Sequence, residues 1–208
     1  MKVVAINGSP KEKGNTYHAI KTMADVLSTH GIETEILHVG GQVIRGCMAC
    51  SGCRKSEGNL CVLPGDCVAE YTKKMLEADG IILGSPVYYG GIAGTMKSFL
   101  DRVFYGNSSN MRHKVGYAVT AVRRAGAVPT FQQLCSYLNL GEMIIAPSVY
   151  WGVGYGRLPG EITGDEEGED TLTIAAENMA WLLKMKEATK DTILPPAQKT
   201  KRLTNFIR

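Results

Sequence analysis

Residues 3–16 read Val3-Val4-Ala5-Ile6-Asn7-Gly8-Ser9-Pro10-Lys11-Glu12-Lys13-Gly14-Asn15-Thr16. A short apolar run passes into a glycine turn and then into polar residues that open a helix. A run apolar at every position is a strand buried on both faces, and Gly8-Ser9-Pro10 supplies its turn. Helical spacing follows at Ala19, Ile20, Met23, Ala24 and Leu27, with Gly31 as the stop. The unit then repeats in kind. Residues 33–39 alternate as a second strand, and a cysteine-rich segment fills about 41–65. Asp66 is placed to cap a helix running to about 78. Gly80-Ile81-Ile82-Leu83-Gly84 is another apolar strand, and it ends in Ser85-Pro86-Val87-Tyr88-Tyr89-Gly90-Gly91. A helix near 94–105, a fourth strand over about 115–122 and a helix near 127–140 come next, with Pro129 tolerable in that helix's first turn. The fifth strand is expected over 143–150, bent or interrupted at Pro147. A glycine- and aromatic-rich stretch, 151–160, leads to an acidic loop. The last helix, about 171–190, presents Ala175, Met179, Leu182 and Met185 along one side.

This alternation predicts an α/β fold with three layers: a doubly wound, five-stranded parallel sheet in the flavodoxin-like order 2-1-3-4-5. Ligands of such sheets sit at the switch point between the first and third strands. A nicotinamide-type Rossmann domain would place G-x-G-x-x-G after the first strand, and residues 8–16 lack that spacing. A chain of 208 residues suits one domain, expected over 1–190 with the cysteine loop at about 41–66 and a tail over 191–208. The hydrophobic fraction of 44% and charged fraction of 21% are those of a soluble globular protein. No apolar run of about 18 residues is present and the first residues lack signal-peptide character, so no membrane partner and a cytoplasmic location are expected. Lys199, Lys201, Arg202 and Arg208 contribute four positives to a net charge of +3, which leaves the rest near −1. No nucleic-acid surface is expected from such a balance, and the basic tail reads as a solvated or subunit-wrapping end.

Two loops at the carboxyl edge of the expected sheet carry the ligand chemistry. Gly8 to Thr16 combines hydroxyls with helix-terminal N–H groups, a cradle for a phosphate dianion. It is not a Walker A loop, because Asn15-Thr16 stands where Lys-Ser/Thr is required. A mostly neutral cradle of this size suits a terminal monophosphate such as that of FMN. Ser85 to Gly91 leaves a buried strand beside it. Pro86 stiffens that turn, Gly90 and Gly91 permit close backbone approach, and Tyr88 and Tyr89 offer planar faces to a flat ring. Thr120 to Gly126 supplies a third wall, where Arg123 or Arg124 is available to a pyridine-nucleotide phosphate, a quinone oxygen, a protein partner or solvent. The four histidines occupy none of these loops. No catalytic side chain is expected, because a flavin carries the chemistry itself and asks the protein for binding and tuning.

Five of six cysteines fall within 47–67, and Cys47, Cys50, Cys53 and Cys61 form C-x2-C-x2-C-x7-C. Four thiolates at such spacing meet the ligand count of a [4Fe–4S] cluster. Reversibly oxidised thiols, structural zinc and a disulfide pair are the other readings. Zinc sites more often join two C-x-x-C knuckles across a longer insertion, and a reducing compartment disfavours the disulfide. Cys135, on a predicted helix, reads as a small apolar residue.

The G-S-P-x-x-x-G-N-T loop, the G-S-P-V-Y-Y-G loop followed by K-S-F-L-D-R, and the compact cysteine motif together resemble the iron–sulfur flavoproteins. That group lies within the NADPH-dependent FMN reductase family of flavodoxin-like proteins. The resemblance runs over most of the chain, including Tyr150-Trp151 and the turn at 165–168. It implies FMN and a [4Fe–4S] cluster exchanging electrons, with Ser9, Lys11, Asn15 and Thr16 at the phosphate and Pro86, Val87, Tyr88, Tyr89 and Gly90 at the ring. Gly14, Thr120 and Gly126 join the expected cofactor contacts, and Cys47, Cys50, Cys53 and Cys61 are the expected cluster ligands. It also implies a homodimer or homotetramer, with a ferredoxin-like or small-molecule electron donor or acceptor and NAD(P)H as a possible donor. Relatives often carry two acidic residues where this chain has Asp66-Cys67. The alternatives are a cluster-free NAD(P)H-dependent reductase of flavins, quinones, azo or nitro compounds, and a non-enzymatic redox carrier or sensor.

Overall fold

The first strand, β1 (Lys2–Asn7), is buried at every position after Lys2, and its alternate residues enter opposite cores. Val4 and Ile6 face one side of the sheet with Ile81 and Leu83, whereas Val3 and Ala5 face the other with Ile82. Both cores need a covering layer, and the helices supply it. On the first side lie α2 (Val68–Glu77), α3 (Gly94–Asn107) and α4 (Ala127–Leu140). On the second lie α1 (Asn15–Thr29), through Ala19, Ile20, Met23 and Leu27, and α5 (Glu166–Thr189). The computed structural model describes residues 1–202 and 204 of the chain. Arg208, one of the four basic residues near the end, lies outside the described residues.

β2 (Glu33–His38), β1, β3 (Gly80–Tyr88) and β5 (Val115–Val122) are parallel neighbours in that order, which is the expected doubly wound arrangement. Two details differ from the sequence reading. β3 continues past its turn into a short antiparallel partner, β4 (Gly91–Ile92), so Ser85 to Gly91 is a hairpin. The fifth position is shared by two fragments, β6 (Ile144–Ile145) and β7 (Val153–Tyr155), both parallel to β5. Pro147 has no N–H to give the ladder, and the chain leaves β5 after Ala146 donates to Gly116 O. It returns at Gly152, where a Cβ would lie 2.3 Å from Ala118 O, so only glycine fits that re-entry. The resumed strand takes part of the stretch expected to be loop.

The last helix also starts earlier than expected, at Glu166. Asp165 caps it, its Oδ1 accepting from Gly168 N–H at 3.1 Å. Glu166, Glu167 and Glu169 in the first turn favour the positive end of the helix dipole. Its core stripe is Leu172, Ala175, Ala176, Met179, Ala180 and Leu183, while Leu182 is half-buried and Met185 exposed. No helix among the described residues is long and apolar enough to cross a membrane.

Candidate functional site

β1 delivers the chain to Gly8 at the carboxyl edge of the sheet, and short-range bonds then hold the loop rigidly. Ser9 N–H donates to Asn7 Oδ1, Lys11 N–H to Ser9 Oγ and Asn7 Nδ2 to Glu12 O. From β2, His38 donates Nε2–H to Ser9 O at 2.7 Å, a brace that no motif signalled. Gly40 lies so close that a Cβ there would sit 2.0 Å from the same oxygen. Gly14 is the N-cap of α1 and has no side chain to satisfy the helix's first N–H groups. Two residues past that cap, in the helix's first turn, Thr16 Oγ1 is buried without a hydrogen-bond partner.

These groups open on a cleft of about 200 Å³ lined by Ser9, Pro10, Lys11, Gly14, Asn15 and Thr16 on one wall and Pro86, Val87 and Tyr88 on the other. The expected phosphate and ring loops therefore meet. Ala121 and Arg123 come from the end of β5, and Gly156, Arg157 and Pro159 close the cleft from beyond β7. In sequence the stretch 151–160 is open to a flavin cover, a subunit contact or a plain surface loop, and nothing there says that β7 restores the chain to this edge. With Lys11, Arg123 and Arg157 on its walls, the cleft is more cationic than residues 8–16 alone suggest. Asn15 is also tied to this closing loop, its Oδ1 accepting from Ile162 N–H at 3.4 Å.

Four expected contacts lie outside the lining. Tyr89 and Gly90 are the two-residue turn of the β3–β4 hairpin, with φ of +48° and +77°, as a type I′ turn requires. That turn directs the Tyr89 ring into solvent. Gly126 packs against the hairpin instead of a ligand: a Cβ on it would lie 3.0 Å from Gly90 Cα. Thr120 is wholly enclosed in β5, and its Oγ1 likewise has no partner. Ser85 Oγ holds the base of the hairpin, accepting from Ala93 N–H at 3.0 Å and donating to Pro86 O.

The cysteine segment has little regular structure: residues 43–50 form no element, and 3-10 turns occupy Gly52–Lys55 and Glu57–Asn59. Cys47, Cys50, Cys53 and Cys61 nevertheless line one small pocket, with Arg102 and Tyr105 of α3 behind them. Cys47 and Cys50 are exposed, Cys53 is buried and Cys61 half-buried. Among the described residues no three His, Cys, Asp or Glu side chains are assembled as a metal site. In kind and number the donor set, four cysteines lining one pocket, is what an iron–sulfur cluster takes. Cys67 is not among them. It is the N-cap residue of α2 and packs on the core, where burial pushes its thiol above the ordinary range. Cys135 behaves similarly, its pKa raised by burial to about 11. Asp66 does accept from Val68 N–H at the start of α2, but its carboxylate is chiefly committed to an ion pair with Arg102. The pocket and the cleft share no lining residue.

A family model described as NADPH-dependent FMN reductase matches residues 1–157. An iron–sulfur flavoprotein from Methanocaldococcus jannaschii is 36% identical over 193 residues, covering 89% of this chain and 98% of the relative. The chain belongs to the iron–sulfur flavoproteins of the NADPH-dependent FMN reductase family. Among solved structures, RosB with bound 8-demethyl-8-formylriboflavin-5'-phosphate aligns over 100% of this flavoprotein and 94% of RosB, with a TM-score of 0.71 at 16% identity. A flavodoxin from the domain Archaea aligns over 88% of this chain and 99% of its own, with a TM-score of 0.59 at 13% identity. Both likenesses place the flavoprotein in the flavodoxin-like fold. It is a flavin-dependent oxidoreductase that uses FMN.

Proposed function

We propose that this flavoprotein relays electrons between FMN seated in the cleft and a [4Fe–4S] cluster held by Cys47, Cys50, Cys53 and Cys61. The observation that carries the cleft assignment is Thr16 Oγ1, buried without a partner at the uncapped N-terminus of α1. A buried hydroxyl left unsatisfied costs free energy, and a phosphate oxygen removes that cost here. Ser9, Asn15 and Lys11 complete the cradle. Pro86, Val87 and Tyr88 set the opposite wall for the ring. When bound, FMN supplies hydride and single-electron transfer and the cluster supplies single-electron transfer.

The four thiols contribute unequally to the cluster site. Cys53 is fixed from behind by α3, where a Cβ on Gly106 would lie 3.4 Å from its sulfur. Cys61 is held by Arg102. Cys47 and Cys50, exposed on irregular backbone, are the pair free to adjust around a ligand. Arg45, Arg54 and Lys55 are exposed around this face, which suits an acidic protein carrier of the ferredoxin type. Exposed Val149, Tyr150 and Trp151 offer a second copy of the chain an apolar contact, in keeping with a homodimer or homotetramer.

A second reading is favoured by Lys11, Arg123 and Arg157: these cations suit the phosphates of NAD(P)H as direct donor to the flavin. The test is to purify the protein without oxygen, record its visible spectrum and assay FMN, iron, zinc and acid-labile sulfide. One FMN with four irons and four sulfides per chain is expected. FMN without iron, with NADPH oxidation by quinone intact, gives the second reading. A colourless protein that takes up no FMN at micromolar concentration overturns both.

A further inference from the structure

Among the described residues Arg102 is the only charged one buried along with its backbone, and it encloses the carboxylate of Asp66 with it. Its side chain is 0% exposed and that of its partner Asp66 6%. Burying a guanidinium costs several kcal/mol unless it is paired and fully hydrogen-bonded, and here every donor is used. Nη1–H donates to Asp66 Oδ2 and to Arg45 O, while Nη2–H donates to Asp66 Oδ1 and to Leu63 O. Those four bonds close the cysteine loop at positions 45, 63 and 66. The fifth N–H of the fork, on Nε, points at Cys61 Sγ, 3.2 Å away. Loop closure alone needs no bond to sulfur, which is a weak acceptor unless it is a thiolate or bound to metal.

We propose that Arg102 is a positioning and tuning residue for the cluster site: its Nε–H holds the Cys61 sulfur toward the shared pocket and stabilises the more negative, reduced state of a cluster bound there. This rests on the cluster reading above. Hydrogen bonds to cluster sulfurs and nearby positive charge both raise a reduction potential. Asp66 locks the guanidinium plane so that Nε, rather than either Nη, meets the sulfur.

The test compares anaerobically prepared wild type with Arg102→Lys and Arg102→Gln by iron and sulfide content, FMN content and potentiometric titration of the cluster. Arg102→Lys keeps the charge but removes the planar fork. Both variants are expected to retain FMN, with the cluster potential shifted to more negative values in Lys and further in Gln. Equal potentials in all three proteins overturn the proposal while leaving the cluster reading intact. Wild-type protein free of iron and sulfide overturns the cluster reading, and this proposal with it. Should neither variant take up iron, alkylation of Cys61 in the iron-free proteins, followed by peptide mass spectrometry, decides. A Cys61 alkylation rate changed severalfold from wild type supports the positioning role, and an unchanged rate overturns it.

Discussion

The loop over residues 8–16, proposed to hold a phosphate, and the cysteine loop over 41–66, proposed to hold a cluster, are built in different ways. The first is held from within and from the sheet. Its local bonds join residues a few positions apart, longer-range bonds reach it from His38, Gly84 and Ile162, and β1 and α1 fix its two ends. The second gathers most of its own short-range bonds between residues 51 and 60, and its two ends are held from outside by one helix. Arg102 ties its ends, and Asn107 donates Nδ2–H to Asn59 O at 2.9 Å in its middle. A loop stabilised by its own strand and helix is formed before its ligand arrives. A loop hung on a neighbouring helix keeps part of its thiol set exposed and adjustable.

The sharpest way to break this contrast is Cys50→Ser. It should abolish cluster absorbance while FMN stays bound at full stoichiometry, since the two pockets share no residue. Retained iron and labile sulfide would remove Cys50 from the ligand set, and lost FMN would couple the two regions. Gly40→Ala should act in the reverse sense. Its methyl would meet Ser9 O at 2.0 Å, and overpacking of this kind costs about 1–3 kcal/mol. FMN affinity should fall by roughly ten- to a hundredfold with iron content unchanged, as read by flavin fluorescence titration and iron assay.

Thr16→Val should weaken FMN binding by about 1–2 kcal/mol. The flavin-free protein should melt at the same or a higher temperature, because the isosteric change removes a buried hydroxyl that has no partner in that state. A lower melting temperature with unchanged affinity would place the phosphate elsewhere. The smallest effect is expected at Tyr89. Replacing it with Asn, which tolerates positive φ, should stabilise the protein by about 1 kcal/mol and leave FMN binding alone. A loss of flavin affinity would return Tyr89 to the ring site.

The fold was legible because β1, β3 and β5 are apolar at nearly every position and separated by helix-length segments, a pattern that only a sheet covered on both faces satisfies. The wall of the cleft built by residues 9–16 was legible for a related reason: glycines and hydroxyls between a strand and a helix stay close in space as in sequence. The ring loop was half legible. Pro86, Val87 and Tyr88 line the cleft, but a Tyr-Gly pair does not resemble the Asn-Gly signature of a type I′ turn, so the hairpin that turns Tyr89 outward was missed. The division of the fifth strand by Pro147 and Gly152 was equally hidden, and with it the arrival of Gly156, Arg157 and Pro159 at the cleft.

By itself the sequence determined the layers, the parallel sheet, the loop over 8–16 between a strand and a helix, and the grouping of four cysteines, all of which depend on near neighbours and on periodicity. Tertiary structure alone decided that Arg102, far along α3, reaches back to Asp66, Arg45 and Leu63 and aims its last donor at Cys61. No local pattern encodes that contact. It exists because α3 packs under the cysteine segment, and because a guanidinium enclosed there must find an acceptor for each of its five N–H groups.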